Sequence, residues 1–175
     1  MLTQFFNVSQ VEGFELPAVT PISENERIEA AERFFSNTGA KIEIGGEEAL
    51  YKVVSDIIKM PPIEVFRDSA SYYSVLAHET VHWTGAKSRL DRDLKNRFGS
   101  AAYAAEELIA ELGAAFICAE LELTNEPRPD HAQYIASWIK VLKEDPKAIF
   151  TAASKAQQAV DYLKSLQVKE LQQAA

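Results

Sequence analysis

Two of the three histidines in this 175-residue chain, His78 and His82, stand four positions apart in "AHETVHWTGAKS", with Glu79 beside the first. On an α-helix, positions i and i+4 lie on one face. The flanking Val75, Leu76, Ala77 and Val81 are apolar, so the helix is predicted to be buried. Two imidazoles on one buried face need polar partners, and a single metal ion satisfies both. Glu79 is turned by about 100° from His78. It sits beside such an ion, where a carboxylate can take a proton from activated water; that is the mechanical content of the spacing H-E-x-x-H.

A catalytic site of this kind needs a third protein ligand and an open position for water. One extension of the pattern, H-E-x-x-H-x-x-G-x-x-H, is followed as far as Gly85, but Ser88 occupies the position of the last histidine. Gly85 then reads as the helix C-cap. Asp91 and Asp93 fall in a polar stretch just beyond and are weak candidates. "EELIAE", residues 106–111, offers a glutamate from a later helix instead. Glu106 and Glu107 differ by about 100°, so only one faces the ion. Glu107 shares its face with Glu111 and Ala114, and small Ala110, Ala114 and Ala115 allow close helix approach. Glu107 is therefore expected to be the ligand, Glu106 to point elsewhere, and Glu111 to accept the second ring N–H of His78 or His82. His131 opens a further helix, with Tyr134 one turn later. Either the two stabilise an oxyanion near the metal, or His131 is an exposed helix start and Tyr134 part of the core.

The remainder of the chain predicts α+β. Residues 4–9 read as a strand. Ser23 and Glu26 have capping-box spacing for a helix with apolar Ile28, Ala31, Phe34 and Phe35, ended by Gly39. "AKIEIGGEEALYKVV" reads as a hairpin turning at Gly45-Gly46, and "DIIKMPP" as a third short strand. The expected sheet is antiparallel, and "IKMPP" is expected to be an edge onto which a peptide docks. Helices are predicted from Asp68 or Ser69 to Gly85, from Ser100 through "AAYAAEELIAELGAAFICAELEL", over "RPDHAQYIASWIKVLKE", and after Asp145 as N-cap with Pro146 at N1. A single domain over 1–175 is expected, with sheet and first helix in 1–64 and the metal-bearing helical part in 65–175.

The hydrophobic content is 47%, enough for one core. The lone Cys118 has apolar neighbours and reads as a buried thiol. A net charge of −8 disfavours general binding to phosphate backbones. Lys87, Arg89, Arg92, Lys95 and Arg97 are expected to form a solvated face, since Asp91 and Asp93 interrupt them. No apolar run is long enough to span a membrane and no signal peptide is visible, so a cytoplasmic location is expected.

"AHETVHWTGAKSRLDRDLKNRFGSAAYAAEELIAELGAAFICAEL" closely resembles the metallopeptidase domain of ArdC-type antirestriction proteins, shared with TraC-type primases and phage polyvalent proteins. "FNVSQVEG", "IKMPP", "FRDSASYYSVLAHE" and "HAQYIASWIKVLKEDPKAIFTAASKAQQAVDYL" resemble the same family, so the likeness covers essentially the whole chain. The resemblance implies a zincin-like fold, His78 and His82 as ligands, and Glu79 as general base. Glu107 is similar to the glutamate ligand of thermolysin-like enzymes and Glu111 to their supporting aspartate. It implies a Zn2+-dependent endopeptidase, with Mn2+ an alternative ion and a protein or peptide as substrate. A non-proteolytic module that occludes DNA or a partner protein is the alternative. Family members usually carry an N-terminal single-stranded-DNA-binding domain. This sequence begins at the peptidase part, so contact with nucleic acid is expected only indirectly or through such a domain.

Overall fold

The computed structural model describes residues 24–94, 101–123, 138–139, 142–143 and 145–167. The expected strand at 4–9, the Ser23 and Ser100 caps, and most of the helix containing His131 and Tyr134 lie outside these residues. Helix α1 spans Glu24–Asn37. Ala31, Phe34 and Phe35 recur at helical spacing and are buried, as the apolar pattern predicts. Gly39 at φ +71° then reverses the chain into the sheet.

Strands β1 (Lys41–Ile44), β2 (Leu50–Lys52) and β3 (Ile57–Met60) form a sheet in the order β1-β3-β2. It is mixed rather than antiparallel: β1 pairs parallel to β3, and β2 pairs antiparallel to it. The expected β1–β2 hairpin at Gly45-Gly46 does not form; Gly45 N–H instead donates to Met60 O at 2.8 Å. The reversal lies at residues 53–56, closed by Asp56 at φ +54°. Burial explains the order. Ile58 and Met60 are fully buried, whereas β1 carries exposed Lys41 and Glu43, so the apolar strand takes the middle. As the central strand, β3 has both edges paired, so "IKMPP" is not a docking edge.

Helix α2 (Ser69–Thr84) runs through the centre of the molecule. The Asp68 carboxylate accepts from Ser71 N–H at 2.7 Å and caps it. That bond, with Arg67 alongside, holds the Asp68 carboxyl down at about 2. Eleven of the sixteen residues are buried, so this helix meets neighbours on nearly every side. The sheet, α1, helix α3 (Ala101–Glu120) and helix α4 (Ala148–Ser165) all pack on it. Helix α4 begins after a turn rather than at Pro146; the Asp145 carboxylate caps that turn by accepting from Lys147 N–H at 2.9 Å. Its Ala152, Ala156, Ala159, Val160 and Leu163 enter the core. Cys118 is buried, as expected. Among the described residues no helix is long and apolar enough to cross a membrane.

Helix α3 approaches α2 tightly where Gly113 faces Val81. A Cβ on Gly113 would stand 2.7 Å from Val81 Cγ2. Ala110 and Ala114 are buried at the same seam, whereas Ala115, expected to help, is exposed. Gly113→Ala should therefore destabilise the fold by about 1–3 kcal/mol through overpacking. Thermal melts of the variant and of Gly113→Ala/Val81→Ala check it: the double change should recover part of the loss, and an unchanged melting temperature in the single variant contradicts the close approach.

Candidate metal centre

His78 and His82 present their Nε2 atoms to one another at 3.2 Å, with the rings at 82°. Across from them, α3 delivers Glu107. Its Oε2 lies 3.5 Å from His78 Nε2 and its Oε1 3.5 Å from His82 Nε2. These three residues are the group among the described ones whose donor atoms, all within 4.8 Å of one another, could hold a metal ion.

Each ring is backed by a carboxylate. His78 Nδ1 lies 3.2 Å from Glu111 Oε1, within ion-pair distance. His82 Nδ1 lies 3.2 Å from Glu106 Oε1, which the sequence reading had pointing away. Adjacent glutamates thus both contact His82, Glu107 at Nε2 and Glu106 at Nδ1. The donor chemistry fits an ion. If each Nδ1–H is given to its carboxylate, both Nε2 lone pairs and Glu107 converge with no hydrogen between them. A tetrahedral ion with metal–nitrogen bonds of about 2.05 Å holds two nitrogens roughly 3.3 Å apart, close to the separation found.

In the metal-free protein these groups must share protons instead. Burial alone would lower His82, but hydrogen bonds to Glu106 and Glu107 and the charge of Glu79 outweigh it and push His82 up to about 10. His78 is lowered by burial yet raised more by Glu107 and Glu111. Burial raises Glu107, but the two imidazoles hold it well below the usual carboxylate range. Glu106 is likewise raised by burial and lowered more by His82 and Arg92.

Glu79 is buried beside the pair. Its Oε2 accepts the backbone N–H of Tyr51 on β2 at 2.7 Å, tying the helix to the edge of the sheet. Tyr51 is itself anchored: its hydroxyl donates to Asp56 Oδ1 at 2.7 Å and accepts from Arg89 Nη2 at 3.1 Å. The guanidinium of Arg89 pairs with Asp56, lies 3.9 Å from the centre of the Trp83 ring, and its Nε donates to Trp83 O at 2.6 Å. Burial, the Asp56 hydrogen bond and its charge push the Tyr51 hydroxyl up to about 12.

The expected solvated basic face is therefore corrected. The Arg89 and Arg92 side chains are only 8% and 6% exposed, each paired with a carboxylate. Lys87 is exposed, and Lys95 and Arg97 lie outside the described residues. A run of charges conceals such pairing, because Asp56 and Glu106 are distant in sequence. Gly85 does end α2, but in a right-handed conformation at φ −74°. Its missing side chain makes room instead: a Cβ there would meet Arg92 Nη2 at 2.9 Å. Asp91 and Asp93 are exposed and take no part in the cluster. His131 and Tyr134 lie outside the described residues.

Residues 29–155 match the family model described as a zincin-like metallopeptidase. The chain is 54% identical over 162 residues to protein y4eC of Sinorhizobium fredii (strain NBRC 101917 / NGR234), covering 93% of this chain and 53% of that one. It is 39% identical over 171 residues to a DNA primase TraC of Escherichia coli, covering 96% of this chain but 12% of the primase. The crystal structure of the antirestriction protein ArdC from the R388 plasmid, in its Mn(II)-bound form, superposes with a TM-score of 0.76 at 39% identity. It covers 94% of this chain and 62% of that one. The metal-free ArdC structure gives 0.72 at 40% identity, over 92% and 58%. The chain thus spans about half of y4eC and a small part of the primase.

The proton sharing predicts how stability without metal depends on pH. The folded value of His82, about 10, lies above the ordinary 6.5. Its contribution is complete below 6.5 and drains away as pH climbs toward 10. Glu107 is shifted downward from 4.5, so its contribution is complete above 4.5 and is lost in acid. In excess chelator, the melting temperature should fall between pH 6.5 and 9. A rise over that interval in differential scanning calorimetry contradicts the shared-proton arrangement.

Proposed function

This chain belongs to the zincin-like metallopeptidase family, and from that premise we propose that it is a metal-dependent endopeptidase acting in antirestriction or the protection of mobile-element DNA. The observation that carries the reading is the convergence of His78 Nε2, His82 Nε2 and the Glu107 carboxylate, with Glu79 buried on the adjoining face of the same helix. The biological setting draws on the antirestriction and primase names of the relatives, and the proposed location is the cytoplasm.

In this reading His78, His82 and Glu107 hold the ion. Two imidazoles and one carboxylate suit Zn2+, and Mn2+ is the ion in the ArdC structure. A bound divalent ion supplies polarisation of the scissile carbonyl and an acidified water. Glu79 takes the proton and returns it to the leaving amine. Tyr51 N–H holds Oε2 of Glu79, which leaves Oε1 to carry that proton. Glu106 and Glu111 orient the rings from behind. Strand β2, an edge strand joined to Glu79, is the place for an extended peptide to lie. Tyr134 and His131 are assigned to oxyanion stabilisation. The Tyr51–Glu79 bond also favours a second reading. It gives Glu79 a structural reason to exist, so a metal-containing module that occludes DNA or a partner without turnover would keep the same residues.

Cleavage of an unstructured protein substrate, with Zn2+ or Mn2+ and with chelator, tests the choice. Glu79→Gln should retain stoichiometric metal and lose at least about a hundredfold in peptidase rate. Metal binding without turnover in the wild type would favour occlusion. Wild-type turnover by Glu79→Gln would remove Glu79 as the base.

The ligand assignment predicts a ranking in metal titrations. Glu107→Ala should cost more affinity than Glu111→Ala, which should lose about 10- to 100-fold as an orienting group. The reverse order would exchange their roles.

A further inference from the structure

We propose that Arg92 is a positioning residue for the metal centre, holding Glu106 behind His82 so that His82 keeps Nε2 turned toward the ion. The inference rests on the metallopeptidase reading and adds to it a residue that itself touches neither metal nor substrate. The segment after α2 folds back on the end of that helix: Leu90 N–H donates to Thr84 O at 3.0 Å and Arg92 N–H to Gly85 O at 2.9 Å. Asp91, at φ +47°, makes the reversal that aims Arg92 inward.

The guanidinium is then held from three directions. Nη2 donates to Val81 O at 2.7 Å, and Nη1 to Thr84 Oγ1 at 2.9 Å. Toward Glu106, Nη2 meets Oε1 at 2.9 Å and Nε meets Oε2 at 3.0 Å, a two-pronged grip on the carboxylate. Gly85 leaves the space that the guanidinium crosses. The gripped Oε1 is the atom that stands 3.2 Å from His82 Nδ1. Val81 precedes His82 and Thr84 lies two residues after it, so the same arginine fastens the ligand's backbone turn and the carboxylate behind its ring. Both side chains of the pair are nearly dry, at 6% and 10% exposed, where fixed donors orient an acceptor strongly. Among the carboxylates around the two histidines, Glu106 is gripped by the Arg92 guanidinium. Lysine could supply the charge but not the planar fork.

The test compares wild type, Arg92→Met, Arg92→Lys and, as a control, Arg89→Met, which removes a comparably buried guanidinium on the Asp56 side. Affinities for Mn2+ and Co2+ are titrated in the purified chain, the Co2+ visible spectrum is recorded, and melting is followed in chelator. Arg92→Met and Arg92→Lys should each bind metal about 10- to 100-fold more weakly, with a changed Co2+ spectrum. Arg89→Met should lower the melting temperature while its metal affinity stays within about twofold of wild type. Arg92→Lys keeps the buried charge and decides the matter if Arg92→Met does not fold. Wild-type affinity and spectrum in Arg92→Lys, or an equal affinity loss in Arg89→Met, overturns the role of Arg92 alone. Absence of metal binding by the wild type overturns the metal reading and this inference with it.

Discussion

A buried imidazole, His78, and a half-buried one, His82, facing two carboxylate-bearing turns across a helix seam form the arrangement on which the rest of this molecule depends. Neither side is stable in an apolar interior without the other. Helix α2 brings His78 and His82; α3 brings Glu106, Glu107 and Glu111. The seam closes only because Gly113 and alanines let the two backbones approach at Val81, one residue from His82. Packing and polar satisfaction thus act at the same place. A wider seam would leave the carboxylates short of the rings, and a purely apolar one would have no reason to carry histidine.

The surroundings divide the labour of orientation. On one side, the Arg89–Asp56–Tyr51 cluster fastens the β2–β3 turn to the end of α2 and sets the Tyr51 N–H on Glu79. On the other, Arg92 holds Glu106 against His82. Both arginines come from the ten residues after α2. A segment that reads as a polar linker therefore secures the surroundings of both Glu79 and His82. The Arg92–Glu106 pairing is between buried charges, where loss of one partner costs far more than the pair contributes, whereas Asp56 keeps half of its side chain open to solvent. Such contacts specify position more than they add stability.

How much could be read beforehand follows from the range of each interaction. The i,i+4 spacing of His78 and His82, the Asp68 cap, the termination at Gly85 and the apolar stripe of α1 are local, and the sequence carries them within one or two helical turns. Helix α3 is legible in the same way. Its angular pattern places Glu107 and Glu111 on one face, and the observed contacts with His78 agree. The contact of Glu106 with His82 departs from the angular pattern because helical angle alone measures direction from one axis. When α3 crosses close to α2, residues 100° apart can straddle the same partner. Lone arginines among aspartates looked solvated for a related reason: charge patterning records neighbours in sequence, and Asp56 and Glu106 are not among them.

What the sequence determined by itself is the chemistry and its helical frame: the donor types, their spacing, the caps, and the likeness to zincin-like metallopeptidases. The tertiary structure decided the strand order, with apolar β3 drawn between β1 and β2 to bury Ile58 and Met60 and so removed from the sheet edge. It also decided which carboxylate stands before each ring and which behind, and that Arg89 and Arg92 turn inward. The division has one physical cause. Helix periodicity and capping are settled by atoms a few residues apart, whereas strand order and the pairing of buried charges are settled by competition among distant segments for a limited dry interior.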